Sequence, residues 1–120
     1  MNTNFLPVRE MINLWNPPQN KTGKKVRAMS MKIKIERNPP QQRLTQLGVK
    51  NWPVWAKEAS EFPWHYDEEE TCYFLEGEVI VTPDGGEPAS MGKGDLATFP
   101  AGMSCTWLIR KDVRKHYHFG

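Results

Sequence analysis

From residue 71 onward the chain places a turn signal every eight to twelve residues, and the segments between are short and rich in β-branched and aromatic residues. That spacing predicts an antiparallel sandwich or barrel. Thr71-Cys72-Tyr73-Phe74-Leu75 and Glu78-Val79-Ile80-Val81-Thr82 read as strands around a Glu76-Gly77 turn. Pro83-Asp84-Gly85-Gly86 is a hairpin signal, and Met91-Gly92-Lys93-Gly94-Asp95 is a further turn. Leu96–Phe99, Ser104–Ile109 and Val113–Phe119 complete the series. Upstream, residues 31–37 (MKIKIER) alternate apolar and polar with period two, as a half-buried strand does, until Asn38-Pro39-Pro40 ends the run. Residues 41–60 read as a turn-like stretch, followed by Trp52-Pro53-Val54-Trp55 as an edge segment covering one mouth of a core. No segment carries a long amphipathic helix, so the expected fold class is all-β.

At 120 residues the chain is one ordinary domain. Its apolar runs are only a few residues long, which excludes a membrane-spanning helix and a membrane partner of that kind. Two cysteines exclude both a disulfide-rich scaffold and a four-cysteine zinc site.

Charge divides the chain. Residues 1–30 hold five Lys/Arg against Glu10 alone, a net of +4, while residues 31–120 hold eleven against thirteen acids, a net of −2. A body of that sign does not suit direct nucleic-acid binding. The boundaries expected are a basic tail over 1–30 and a single domain over 31–120. The tail is poor in acids, broken by Pro7, Pro17, Pro18 and Gly23, and ends in Val26-Arg27-Ala28, which reads as a plastid-type transit segment. The competing readings are a basic arm without a targeting role, a start at Met29 or Met31, and an arm that binds nucleic acid loosely and salt-sensitively through its five scattered charges. The expected location is the chloroplast, with the cytoplasm as the alternative.

Two blocks carry a family likeness. Residues 64–77 (WHYDEEETCYFLEG) and 94–105 (GDLATFPAGMSC), sixteen residues apart, resemble the two motifs of the cupin superfamily. Gly77 and Gly94 permit tight bends there, and Pro100 with Gly102 shapes a corner before a strand. More narrowly, DEEETCYFLEGEV, GDLATFPAGMSCTW and RKHYHF resemble the small ureidoglycine aminohydrolase-like cupins of plants and bacteria, over about residues 33–119. The resemblance implies an RmlC-like jelly-roll barrel. It also implies an inward-facing metal site of two His and a Glu from the first motif and a His from the second.

Here Glu70 stands at the Glu position. The two His positions fall on Trp64 and Tyr66 if three residues intervene, or on Pro63 and His65 if four do, and Cys105 replaces the second-motif His. The expected state is therefore no metal. Were one present, a divalent Mn, Fe or Zn would be held by Glu70, Cys105 and His65. The preferred reading is an apolar-walled pocket with a buried carboxylate, lined by Trp64, Tyr66, Glu70, Cys72, Cys105 and Trp107 and taking a small polar metabolite. Glu70 in such a place needs a partner or a raised pKa. Cys72, two residues after Glu70, shares its face. For both cysteines, core packing, a functional thiol and a disulfide stay open. His116 and His118 share one face of the last strand, Lys115 and Tyr117 the other, and the histidines read as satisfied or exposed rather than as a metal pair.

Three functions compete: a ligand-binding cupin, a metal-dependent ureidoglycine aminohydrolase-like enzyme, and an interaction module of the plastid nucleoid, where some small cupins of this type are found. No catalytic residue is assigned. A homodimer is expected, formed by adding the alternating strand at 31–37 to a neighbour's sheet.

Overall fold

Two long strands organise the molecule. β4 (Glu70–Pro83) and β7 (Ser104–Phe119) pair antiparallel along their whole length, from Glu70 opposite Phe119 to Pro83 opposite Cys105. The computed structural model describes residues 32–120, so the basic tail and its transit reading lie outside the described residues. Around the long pair sit β1 (Lys34–Arg37), β2 (Val54–Lys57), β3 (Ser60–His65), β5 (Ala89–Gly92) and β6 (Asp95–Phe99).

Each long strand serves two sets of neighbours. The first half of β4 and the second half of β7 sit in the order β1-β6-β4-β7-β2. The second half of β4 pairs with β5, and the first half of β7 pairs with β3. Between the two halves the register of the long pair shifts. Between the pairs Phe74–Lys115 and Val79–Ile109, β4 advances five residues and β7 six, so the ladder is bulged. Glu70, Cys72 and Phe74 face the core before the bulge and Val79 and Val81 after it; on β7 Cys105, Trp107, Ile109, Val113 and Lys115 are buried, while Lys111 is exposed where the ladder is bulged.

The continuous strands correct two expectations. Glu76-Gly77 is not a turn between two strands, and 104–109 and 113–119 are not separate strands either. Gly77 (φ +106°) sits inside a continuous β4, where a Cβ would lie 2.7 Å from Asp112 O and 2.7 Å from Val113 Cα. Glycine is there because the bulge brings two backbones into contact. The residues read as a turn-like stretch form α1 (Gln41–Leu47) and a 3₁₀ turn (Val49–Asn51), joined by Gly48 at φ +73°. Seven residues do not hold a helix by themselves. Buried Leu44 and Val49 anchor the segment, and Arg43 bonds Glu36 on β1 at 2.7 Å. Of the strand expected over 31–37, only Lys34–Arg37 forms β1, Met31 lying outside the described residues, and β3 is a strand the sequence reading does not contain.

The core runs between the halves: Phe74, Val79, Val81, Leu96, Phe99, Trp107, Ile109 and Val113 are all buried. Among the described residues no helix is long and apolar enough to cross a membrane.

Candidate functional site

The strand ends of both halves converge on a cavity of about 220 Å³. Its walls are aromatic. Trp55 comes from β2, Phe62 and Trp64 from β3, Tyr66 from the loop beyond it, and Trp107, Tyr117 and Phe119 from β7. Trp64 and Phe119, 45% and 47% exposed, stand at the rim. Phe62 stacks on Trp107 and meets Trp64 edge-on, so the wall is one connected array.

Two charges lie in the wall, and both are buried. Lys115 Nζ is 3.0 Å from Glu70 Oε2. Cys72 sits between them: Lys115 donates to its Sγ at 3.1 Å, and the thiol donates to Glu70 Oε2 at 3.1 Å. Trp55 and Trp107 present their rings to the ammonium at 4.8 and 4.7 Å. A lone buried ammonium or carboxylate would be costly, and here each is the other's partner. Burial alone would lower the Lys115 pKa, but Cys72 and Glu70 outweigh it and hold the ammonium above the usual lysine range.

Tyr66 is fixed from several sides. Its backbone N–H donates to Met103 O at 2.9 Å, its carbonyl accepts from Gly102, and its ring stacks on Phe99 at 4.9 Å. Its hydroxyl accepts from Trp107 Nε1 at 3.1 Å. Burial pushes its pKa well above the usual tyrosine value. The second motif thus holds Tyr66 of the first, its backbone through Gly102 and Met103 and its ring through Phe99.

Of the residues singled out in the sequence, Trp64, Tyr66, Glu70 and Trp107 line the cavity together. Cys72 lies behind the Glu70–Lys115 pair, and Cys105 is buried opposite Trp64 in the β3–β7 ladder, so neither cysteine forms the cavity wall. Both are free thiols, and burial pushes each up to about 12. Buried in this way, both thiols pack as core atoms.

His65 faces the other way. Its Nδ1 is 2.7 Å from Ser104 Oγ and its Nε2 3.7 Å from Asp67. The inward positions of the first motif are therefore Trp64 and Tyr66, which settles the spacing left open in the sequence. Trp, Tyr, a carboxylate committed to Lys115 and a protonated thiol do not make a metal-binding donor set. Among the described residues, no three His, Cys, Asp or Glu side chains gather as they would around a metal ion. His116 and His118 are both engaged by Trp52, through its carbonyl at 2.9 Å and its ring at 5.2 Å.

Sequence reasoning missed Lys115, Trp55, Phe62, Tyr117 and Phe119 as site residues. A signal for two of them was present, because Lys115 and Tyr117 share a strand face with Val113, which is buried.

Comparison with known proteins agrees with this architecture. The EutQ-like cupin domain family matches residues 44–117. A DUF861-family protein of Thermotoga maritima is 49% identical, with a TM-score of 0.72 over 74% of this chain and 100% of its own. A putative ethanolamine utilization protein Q of Salmonella typhimurium is 29% identical at TM-score 0.51, covering 55% of this chain and 53% of that one. The Clostridium difficile EutQ protein is 21% identical at TM-score 0.51, covering 55% and 52%, and shows the fold alone. This chain therefore spans about half the length of the two EutQ proteins. No curated protein matches it. The all-β cupin fold expected from the two motifs is the fold observed, and the chain belongs to the EutQ-like cupin domain family.

Proposed function

We propose that this cupin binds a small metabolite, polar at one end, in the aromatic cavity and does so without a catalytic metal. One observation carries the reading: the Glu70–Lys115 pair lies in the wall of a cavity otherwise faced almost entirely by aromatic rings. Apolar walls with a few convergent polar groups are the usual form of a small-molecule site. The ureidoglycine aminohydrolase-like alternative needs a divalent metal, which Trp64, Tyr66, Glu70 and Cys105 do not suit, so the binding reading is preferred.

The test is a ligand-observed NMR screen of small metabolites against chelator-treated protein, with Trp64→Ala as the control. Hits that survive chelation and are lost in Trp64→Ala support the reading. Hits that appear only after manganese, iron or zinc is added would return the metal-dependent enzyme to first place. A plastid destination and nucleoid association are proposed on residues 1–30 and the narrower family likeness, and an import assay tests the first. Pairing of two copies through β1 is proposed on its edge position in the sheet order, and light scattering tests it.

A further inference from the structure

Resting on the pocket reading, we infer that the cavity selects an uncharged, flat head group that carries a hydrogen-bond donor beside an acceptor, as a primary amide or a lactam does. The lining carries no net charge. Glu70 and Lys115 are its two ionised members, and they cancel. An anionic head would meet the Glu70 carboxylate at close range. A cationic head would meet the Lys115 ammonium, which already holds the faces of Trp55 and Trp107. Either ion would lose its water without gaining an unshared counter-charge.

The unused hydrogen-bonding capacity points to the complement. Glu70 Oε2 accepts from both Lys115 and Cys72, whereas Oε1 has no partner among the described residues. Lys115 Nζ has three protons and uses two, on Glu70 and Cys72. Tyr66 accepts from Trp107, and its own proton has no acceptor among the described residues. Glu70, Lys115 and Tyr66 are 5%, 4% and 2% exposed, and buried polar groups of this kind are normally satisfied. An amide N–H directed to Glu70 Oε1 and its C=O directed to Lys115 or Tyr66 would supply what is missing with no net charge. The flat rings around this end match a planar body. The volume is ample for one ring and its head group, since an apolar cavity of roughly 150 Å³ holds benzene.

The experiment compares four probes of one shape on the wild-type protein at neutral pH by NMR titration: benzamide, benzoate, benzylammonium and toluene. Benzamide is expected to bind most tightly, about tenfold better than either ion. In Glu70→Gln the preference should move toward benzoate, and in Lys115→Met toward benzylammonium. Benzoate, benzylammonium or toluene binding as tightly as benzamide to wild type would overturn the inference and leave the pocket reading standing. Folded variants that keep the wild-type order would overturn the role given to the pair. Absence of binding by all four, toluene included, would overturn the pocket reading and this inference with it. The wild-type comparison decides the matter even if a variant does not fold.

Discussion

Lys115 reaches Glu70 along the sheet and not straight across it. Its ladder partner is Phe74, whereas Glu70 lies opposite Phe119, so the lysine side chain runs over the Cys72–Tyr117 pair before its Nζ meets Glu70 Oε2 at 3.0 Å. This explains why Cys72 Sγ touches both members. It also explains how a lysine can be buried in a strand whose neighbours are Arg114 and His116.

Such a pair is costly to break on one side. Glu70→Gln and Lys115→Met should each lower stability by about 3–5 kcal/mol, because each strands the other charge in an apolar wall. The double variant should recover a large part of the loss. Urea denaturation of the four proteins as a double-mutant cycle checks this, and strictly additive losses would show that the two groups do not interact.

Glu70 was legible in the sequence because it stands at a fixed place in a recognisable motif. Lys115 was not, for a physical reason: in RKHYHF a lysine has the pattern of a solvated strand residue. Its burial depends on a carboxylate forty-five positions earlier. The two possible spacings of the first motif were equally open in one dimension. Strand pairing decided between them by turning His65 to Ser104 and Tyr66 to the core. Fold class survived these local errors because it rests on turn spacing and alternation, which are properties of the chain itself.

Alkaline pH should destabilise the protein. In the folded chain Cys72 and Cys105 are raised from an ordinary value near 9 to about 12, chiefly by burial. Between those limits the unfolded chain releases thiol protons that the folded chain keeps, so stability falls as pH rises. Lys115 acts in the same direction. Its raised folded pKa contributes stability that is complete below the ordinary lysine range and lost as pH climbs through the folded value. The expected loss is about 1.4 kcal/mol per thiol per pH unit above 9. Urea midpoints from pH 8 to 10.5 measure it, and Cys105→Ala should flatten the slope. A midpoint flat across this range would mean the thiols are not held as the structure has them.

Trp107 should dominate the aromatic array. It packs against Trp55, Phe62, Phe74 and Phe99 and donates to Tyr66. Trp107→Ala is expected to lose about 3–5 kcal/mol. Tyr66→Phe, which removes only the acceptor of the indole N–H, should lose about 1–2 kcal/mol. Denaturant midpoints separate the two. A Tyr66→Phe variant as damaged as Trp107→Ala would mean that the hydrogen bond, not ring packing, holds this wall.

Gly77 should tolerate no side chain, and comparison with Gly85 isolates the reason. Both have positive φ, +106° and +74°, so alanine pays a conformational penalty at each. At Gly85 an added Cβ meets nothing within 4 Å, and the loss should stay near about 1 kcal/mol. At Gly77 the same atom would lie 2.7 Å from Asp112 O and from Val113 Cα, both backbone atoms of β7 that cannot swing aside. Relief would require parting β4 from β7 at the bulge. That is where the inward face of β4 changes from even to odd residues, placing Glu70 and Phe74 on one side and Val79 and Val81 on the other in a single core. Gly77→Ala is therefore expected to lose at least about 3 kcal/mol, with strain and overpacking combined, or to fail to fold. Circular dichroism melts of the two variants make the comparison. Equal losses would mean that φ alone matters and that the bulge is not the tight backbone contact on which the shape of the cavity depends.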